Sequence, residues 1–486
     1  MYKGLWTVWA AFAFSVCIRL PFLGKKLEGF GHQEWLAGHT LIILKIWQKE
    51  GIQTHHYGLP YTFYRKADKY IPFIPGIMDK KGNGYYVSYP PFAFYVLYLI
   101  ISVLKIEPNE LFLQIVTLLI QCWIGILIYQ LLLRMQFSVQ TAAFTGAAYF
   151  FLPISMRYHT QAYFCDIAAQ IGIMLVLIAY QFYLNRFSFS SAVWVGLALF
   201  ILTFTEWIGF FLCTTIVFYT LRSSQLSRKT KTLHILFWIF CTASGVLLTF
   251  WIYAQIAGTK ALWQALLQKA SQRVVADTNL YFSRWELNTY TTILHSYIAH
   301  FYPVIPAITL MWITKRSKEQ EDKLKKAYII LGITFWAVIL HHWIFLNFTA
   351  ENDFSILKTS IVILIVWAIL IEKQRQLRLS VWISSIILVA NALYMTAKSV
   401  SIPKTNKIQA FASKLVSFSP SDEVLVLYSS TTISPQVMYY AERNVYMNIN
   451  KSQIEQHLRK LGLKKAIMIH ADWEYNIQQV EQCKVE

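Results

Sequence analysis

The chain has 486 residues, of which 56% are hydrophobic and only 14% charged. This composition excludes an ordinary soluble globular protein. The formal net charge of +19 does not indicate nucleic-acid binding, because the Lys and Arg residues cluster in short connections between apolar runs. Such clustering is typical of the cytoplasmic loops of membrane proteins.

The apolar runs are long enough, at roughly 17–23 residues, to cross a bilayer core of about 30 Å. A spanning segment of this kind must be helical, since lipid offers the backbone no hydrogen-bond partner. The sequence therefore predicts an all-α polytopic membrane protein. The six cysteines do not lie at metal-ligand spacings, so they predict neither a zinc site nor a disulfide framework.

Basic connections set the predicted topology when all of them are placed in the cytoplasm. They include RSSQLSRKTK (222–231), TKRSKEQEDKLKK (314–326) and EKQRQLR (372–378). The N-terminus is then cytoplasmic, and about eleven spans are predicted. Their approximate bounds are 4–23, 111–133, 140–156, 166–185, 191–205, 207–221, 232–255, 293–313, 326–346, 355–371 and 380–398.

Two apolar stretches are not predicted to form a single span. The run 191–221 is split at Glu206 into two short helices. The run YPPFAFYVLYLIISVL (89–104) would invert every later basic loop if it crossed the bilayer. We therefore expect it to lie in the outer interface, with the paired prolines at its start.

The remaining segments are predicted to lie outside the membrane. They are a long first loop (24–88), a loop at 256–292 and a C-terminal segment (404–486). The last contains three runs typical of strands, at 424–428, 444–449 and 466–470, and an amphipathic helix at 453–461. We predict a small extracytoplasmic α/β domain that follows a membrane domain of residues 1–400.

The segment RYHTQAYFCD (157–166) places Arg157, His159 and Asp166 between two long apolar runs. Ionisable residues at a membrane boundary are candidates for function. Arg157 suits a lipid phosphate, although it could also extend to the interface as a snorkelling side chain. Asp166 suits a substrate site or a simple helix N-cap.

The first outer loop offers a candidate general base in Glu34, next to His32 and Trp35. A carboxylate near an apolar surface has a raised pKa and can accept a proton from a hydroxyl group. A solvated loop glutamate is the ordinary alternative. Glu206 interrupts an apolar run, where a charge is costly unless it is paired, so we assign it to a site or a structural ion pair.

A later outer corner, HHWIFLNFTAENDFSILK (341–358), gathers charged residues, among them Asp353 and Lys358. Its two adjacent histidines followed by acids match no specific metal motif. No metal-binding residues are therefore assigned, and a divalent metal stays open as a cofactor. Arg284, in the 256–292 loop, is a further candidate for substrate binding.

Four segments in this order resemble the GT-C superfamily of membrane glycosyltransferases. Within that superfamily, the likeness is to bacterial relatives of protein O-mannosyltransferases and of the aminoarabinose transferases of lipid A. The segments are GFGHQEW (29–35), SYPPFAFYVLYL (88–99), LPISMRYHTQAYFCD (152–166) and NFTAENDFSILK (347–358). The resemblance covers roughly residues 1–400.

The resemblance implies a sugar transfer from a polyprenyl-phosphate donor to a hydroxyl acceptor at the outer face of the plasma (inner) membrane. Glu34 would be the catalytic base, Asp166 the second catalytic acid residue, and Arg157 a contact of the donor phosphate. His32, Tyr89, His159, Glu206, Arg284, Asp353 and Lys358 complete the predicted substrate-binding set. The acceptor could be a glycan, a lipid or a protein.

The sequence departs from the superfamily pattern at several positions. Gln33-Glu34 replaces an acidic or His-Asp pair, so Glu28 is an alternative base. Tyr89 replaces a basic residue or His, and Asn352 replaces a His.

A transporter or flippase is the main alternative function, but such proteins usually contain two related halves, and this sequence shows no internal repeat. A polysaccharide polymerase or ligase is a third interpretation.

Overall fold

The structure is a computed structural model of the chain. The structure describes residues 2–28, 32–71, 76–161, 163–274, 284–305, 319–373, 385–394, 397, 406–419, 423–429, 435–447, 450–472 and 475–484. The chain divides into two compact units. The first contains Met1–Leu23, Gln114–Leu248 and Ala270–Ile402, and the second contains Gly24–Leu113, Thr249–Lys269 and Pro403–Glu486.

Six described helices are long and apolar enough to cross a membrane, so the chain is a multi-pass membrane protein. They are Lys3–Phe22, Glu110–Arg134, Cys165–Arg186, Arg228–Val274, Leu324–Ile344 and Asp353–Lys373. Shorter apolar helices are Phe92–Leu104, Phe189–Thr203, Ile208–Arg222 and Ser385–Tyr394. The count of eleven spans and the cytoplasmic N-terminus remain predictions, and the predicted spans 293–313 and 380–398 lie partly outside the described residues.

In the first unit, helices pack directly on one another. Cys165–Arg186 lies against Phe189–Thr203, and Glu319–Ile344 lies against both Ile208–Arg222 and Thr359–Lys373. The span Lys3–Phe22 consists of the α-helix Tyr2–Arg19 and a 3₁₀ turn at Leu20–Phe22. Shorter helices of this unit are Val139–Ala148, Pro153–Gln161, Leu287–Phe301 and Leu346–Glu351.

The predicted span 140–156 is not one continuous helix. A helix at Val139–Ala148 is followed by a 3₁₀ turn at Tyr149–Phe151 and a second helix at Pro153–Gln161. Pro153 lacks a backbone N–H and clashes with the preceding turn, so it begins a new helix instead of continuing the old one. Arg157 and His159 therefore lie within a helix.

The predicted break at Glu206 is present, since one helix ends at Thr203 and the next begins at Ile208. The predicted loop 256–292 differs in its first part, because the segment Arg228–Val274 consists of two helices that meet at a kink at Gly258, and the second helix continues to Val274. Only Gly258 departs from helical geometry there, with φ 82° and ψ 161°, a conformation that glycine adopts without strain. The residues after it include Ala, Leu, Gln and Lys, which are good helix formers.

The second unit contains a four-stranded sheet. Its strands are β3 (Val424–Ser429), β4 (Tyr446–Met447), β5 (Lys465–Ala471) and β6 (Ile477–Lys484). The order is β4-β3-β5-β6, with β3 parallel to β4 and β5, and β6 antiparallel to β5. The first three strands overlap the predicted runs, whereas β6 was not predicted. A separate extracytoplasmic domain at 404–486 remains a prediction.

Alternating residues of β3 pack on the two faces of this sheet, as the pleat requires. Leu425 and Leu427 contact the helices Lys407–Phe418 and Pro435–Ala441. Val424 and Val426 contact the helix Lys451–Leu461 together with two residues of the first loop, Ala67 and Ile71. The first loop therefore supplies part of the core of the C-terminal sheet.

The rest of the second unit consists of short elements around one long helix. That helix, His32–Glu50, packs against Phe92–Leu104 and Pro435–Ala441. The first loop also contains 3₁₀ turns at Gln53–His55 and Lys66–Asp68 and the two-stranded sheet of β1 (Ile77–Met78) and β2 (Gly84–Tyr85). The location of residues 89–104 in the outer membrane interface remains a prediction.

Candidate functional site

A buried ion pair joins Asp166 to Lys358 in the first unit. The Lys358 ammonium donates to Asp166 Oδ1, and the two side chains are 0% and 1% exposed. Asp166 lies in the first turn of its helix, but the N-cap is Phe164 and no side chain caps it. Asp166 therefore is not a simple N-cap. Since an isolated buried charge is very costly, the two groups depend on each other.

Glu206 extends this pair into a larger cluster. Its Oε1 lies 3.8 Å from Lys358 Nζ and 3.4 Å from His341 Nε2. Its Oε2 accepts a hydrogen bond of 2.7 Å from the backbone N–H of Ile208. The acid that interrupts the apolar run is thus paired, and it also binds an N–H at the start of the following helix. We call Asp166, Lys358, Glu206 and His341 the buried ion cluster.

Arg273 balances the charge of the buried ion cluster. Its guanidinium interacts electrostatically with both Asp166 and Lys358, and it lies 4.6 Å from the centroid of the Phe348 ring. His341 Nδ1 is buried with no hydrogen-bond partner among the described residues. A proton is therefore best placed on Nε2, towards Glu206, which makes the imidazole neutral. The cluster then contains two carboxylates and the Lys358 ammonium, and Arg273 adds a favourable interaction with Asp166.

A second charged group surrounds Asp353. Arg157 Nη1 donates to Asp353 Oδ2 over 2.8 Å, and His300 Nε2 lies 3.4 Å from the same oxygen. The Tyr158 hydroxyl donates to Asp353 Oδ1. The Arg157 side chain remains 38% exposed. Because a guanidinium has five donors in a planar fork, this arrangement orients Arg157 while leaving part of the fork open to a ligand.

His159 and Arg284 have other partners. His159 is fully buried, with Nε2 2.8 Å from the Tyr149 hydroxyl and Nδ1 3.1 Å from the Thr117 carbonyl oxygen. It connects the helices Glu110–Arg134 and Pro153–Gln161. Arg284 Nη2 donates to the carbonyls of Trp343 and Ile344, at the C-terminal end of a helix where such groups lack helical partners. The described contacts do not join either residue to the buried ion cluster.

The remaining predicted residues belong to the second unit. Glu34 is half-buried in the first turn of the helix that begins at His32. The ring of Trp35, next to it, lies against that of His39, with centroids 3.7 Å apart and the planes tilted by 41°. Tyr89 is buried, and its carbonyl accepts a hydrogen bond of 2.9 Å from the Tyr253 hydroxyl.

The alternative base Glu28 already has a role in this unit. Its carboxylate accepts hydrogen bonds of 2.9 and 3.3 Å from the backbone N–H groups of Ile408 and Gln409. These groups lie at the start of the helix Lys407–Phe418, where N–H groups have no helical acceptor. Glu28 thus stabilises a helix end.

The sequence interpretation missed Tyr158 and His300 as partners of Asp353, and it considered His341 only as a weak metal ligand. The position of Tyr158 beside Arg157 was an available signal, whereas nothing local distinguishes His300. Among the described residues, no group of three or more His, Cys, Asp and Glu side chains is arranged to hold a metal ion.

Comparison with solved structures shows which fold this is. ArnT from Cupriavidus metallidurans bound to undecaprenyl phosphate matches with a TM-score of 0.62 and 12% identity, over 96% of this chain and 93% of that one. Apo ArnT from the same organism matches with a TM-score of 0.58 and 11% identity, over 96% and 92%. The chain shares the fold of ArnT, which is a GT-C glycosyltransferase. The resemblance expected from the sequence is therefore confirmed for the fold.

A second type of GT-C structure also matches. The arabinofuranosyltransferase AftD from Mycobacteria aligns with a TM-score of 0.50 and 11% identity, over 95% of this chain but only 35% of that one. This chain therefore spans about a third of AftD. No protein-family model and no curated sequence matches the chain. At these identities the likeness establishes the GT-C fold alone.

Proposed function

We propose that the chain is a membrane glycosyltransferase that transfers a sugar from a polyprenyl-phosphate donor to a hydroxyl acceptor. The observation that carries the proposal is the likeness to ArnT over 96% of the chain, which includes a structure with bound undecaprenyl phosphate. The clustering of basic residues in predicted cytoplasmic loops supports a reaction at the outer face of the membrane. The acceptor class stays open among glycans, lipids and proteins.

In the proposed reaction the acceptor oxygen bonds to the anomeric carbon. The bond between that carbon and the phosphate oxygen breaks, and polyprenyl phosphate leaves with the bonding electrons. The acceptor proton passes to a carboxylate, which we assign to Glu34. Glu28 is the weaker candidate, since both of its oxygens accept backbone N–H groups.

Arg157 is assigned to the donor phosphate. Its half-exposed guanidinium is oriented by Asp353, and its planar fork matches phosphate oxygens. Negative charge grows on the leaving phosphate as the glycosidic bond breaks, and a fixed cation stabilises that charge.

Asp166 is assigned to orienting the acceptor or another catalytic group. Lys358 occupies its Oδ1, while Oδ2 is buried with no hydrogen-bond partner among the described residues. A buried carboxylate oxygen in this state is ready to accept a hydrogen bond from a substrate.

The base assignment is tested with membranes that contain wild type, Glu34→Gln or Glu28→Gln, supplied with labelled polyprenyl-phosphate sugars. We expect release of polyprenyl phosphate by wild type and by Glu28→Gln, the matched control, and a loss of about 10²–10⁴-fold in Glu34→Gln. Undecaprenyl phosphate should still bind to Glu34→Gln. Full activity of Glu34→Gln would reject Glu34 as the base.

Transport of a lipid-linked or small polar substrate is the second candidate function. The buried ion cluster favours it, because ionisable groups within membrane helices are typical of transport pathways. Proteoliposomes distinguish the two functions. A transporter moves the lipid-linked sugar between leaflets without consuming it, whereas a transferase releases polyprenyl phosphate.

A further inference from the structure

One short segment contacts both charged residues of the 157–166 corner. Asp353–Lys358 is a six-residue 3₁₀ helix with an acid at its first position and a base at its last. Asp353 pairs with Arg157, and Lys358 pairs with Asp166. The charges of the segment are thus the reverse of those of the corner, and each end holds a different helix of the corner.

The residues between the two ends fix the segment in place. Phe354, Ile356 and Leu357 are each 0% exposed. The Phe354 ring lies 4.6 Å from that of Phe164, which is the N-cap of the helix that carries Asp166. A tightly packed short helix cannot shift one end without disturbing its neighbours.

Both end residues of the segment already have protein partners. Lys358 is fully buried, and its ammonium faces the carboxylates of Asp166 and Glu206. Both oxygens of Asp353 already have partners in Arg157, Tyr158 and His300. These contacts favour a role other than the direct substrate contact expected from the sequence.

We propose that Asp353–Lys358 is a two-ended positioning element. Asp353 aims the guanidinium of Arg157, and Lys358 fixes the carboxylate of Asp166 with Oδ2 turned away from the pair. The inference rests on the proposed glycosyltransferase function and names two residues that act through others. It also explains why a charged corner interrupts two apolar runs: each charge has its partner on this segment.

The two ends have different expected effects. Loss of the Asp353 charge releases Arg157, so binding of a phosphate should weaken. Loss of the Lys358 charge disturbs Asp166 but leaves Arg157 in place, so phosphate binding should persist while turnover falls. A role limited to structural support would not separate the two effects in this way.

The experiment compares full-length Asp353→Asn, Lys358→Met and Lys358→Arg with wild type. Lys325→Met, an exposed lysine on another helix, is the matched control. Binding of undecaprenyl phosphate is measured by tryptophan fluorescence, and kcat and KM by release of labelled polyprenyl phosphate. We expect Asp353→Asn to bind undecaprenyl phosphate about tenfold more weakly. Lys358→Met should bind it normally with kcat lowered about 10²-fold, and Lys358→Arg should recover part of that loss.

Two results would overturn the proposal: unchanged binding in Asp353→Asn, or unchanged kcat in Lys358→Met. If Lys358→Met fails to fold, the kcat of Lys358→Arg carries the test of that end, and an unchanged kcat there would overturn the proposal. If Asp353→Asn fails to fold, it is replaced by the charge exchange Arg157→Asp with Asp353→Arg. This exchange should restore folding but not phosphate binding, and restored binding would contradict the inference. If wild type transfers no sugar while Asp353→Asn still weakens binding of undecaprenyl phosphate, the positioning of Arg157 stands and the proposed reaction fails.

Discussion

Asp68 and Arg443 form an ion pair in which both side chains are fully buried. Arg443 Nε donates to Asp68 Oδ1 over 3.0 Å, and the backbone N–H of Asn444 donates to the same oxygen over 3.1 Å. Arg443 also donates to the Ser419 hydroxyl and the Glu423 carbonyl. One arginine therefore connects the first loop to the C-terminal sheet within the second unit.

Replacement of Arg443 by methionine should destabilise this sheet. It removes the cation and leaves the Asp68 carboxylate buried without its charge partner, which costs about 3–5 kcal/mol. Hydrogen exchange of β3 in detergent-solubilised protein measures the local opening free energy. Arg459→Met, at an exposed arginine of the same unit, is the control and should leave exchange unchanged. Unchanged exchange in Arg443→Met would show that the pair does not stabilise the sheet.

The Asp68 carboxyl should make stability depend on pH. Burial raises the pKa of Asp68 from 3.8 to about 6, against the opposing effect of Arg443. The folded state therefore binds this proton at a higher pH than the unfolded chain does. The contribution of Asp68 to stability should fall as pH rises from about 4 to about 6, and stay constant above that. The opening free energy of β3 is measured by hydrogen exchange across this pH range in wild type and in Asp68→Asn. The difference between the two proteins gives the contribution of Asp68, and a difference that rises with pH would contradict the prediction.

His457 should make stability increase with pH, which is the opposite of the effect of Asp68. Burial lowers the pKa of His457 from 6.5 to about 4, and its Nδ1 lies 2.8 Å from the Tyr446 hydroxyl. The unfolded chain is protonated first as the solution becomes acidic. The stability that depends on neutral His457 is present above about pH 6.5 and is lost as the pH falls towards 4. Exchange of the helix Lys451–Leu461 should show this loss in wild type and not in His457→Gln.

Close packing in the first unit gives a prediction that involves no charge. A Cβ at Gly146 would lie 2.7 Å from the backbone oxygen of Gly125, which cannot rotate away. Gly146→Ala should therefore separate two helices and lower the melting temperature. At Gly332 the added Cβ would meet the end of the Tyr219 side chain, which can move. Gly332→Ala is the matched variant, and we expect a smaller loss there. Equal losses would contradict the distinction.

Much of the architecture was predictable because it depends on local pattern. Apolar run length indicated the membrane helices, and the single charge at Glu206 indicated the break that the structure contains. The helix that follows the kink at Gly258 was missed because a glycine just after an apolar run is typical of the start of a loop. Strand β6, IQQVEQCK, was missed because its mostly polar residues lack the apolar alternation of a strand.

The candidate site was only partly predictable. Arg157, Asp166, Asp353 and Lys358 could be identified individually, because each charge interrupts or borders an apolar run. Their pairing could not be read from the sequence, since the partners lie more than 190 residues apart and many other combinations of charges were available. The role of Glu28 at a helix end was hidden for the same reason, because its partner helix begins at Lys407.

The most direct test of the central claim is the stoichiometry of the reaction with purified wild-type protein. Undecaprenyl-phosphate-linked sugars are supplied with mixtures of glycan, lipid and protein acceptors, and mass spectrometry measures both products. We expect one undecaprenyl phosphate for each sugar transferred, and slower appearance of both products with Arg157→Ala. If no lipid-linked sugar is consumed with any acceptor, while the protein moves it between leaflets, the protein is a transporter and not a glycosyltransferase.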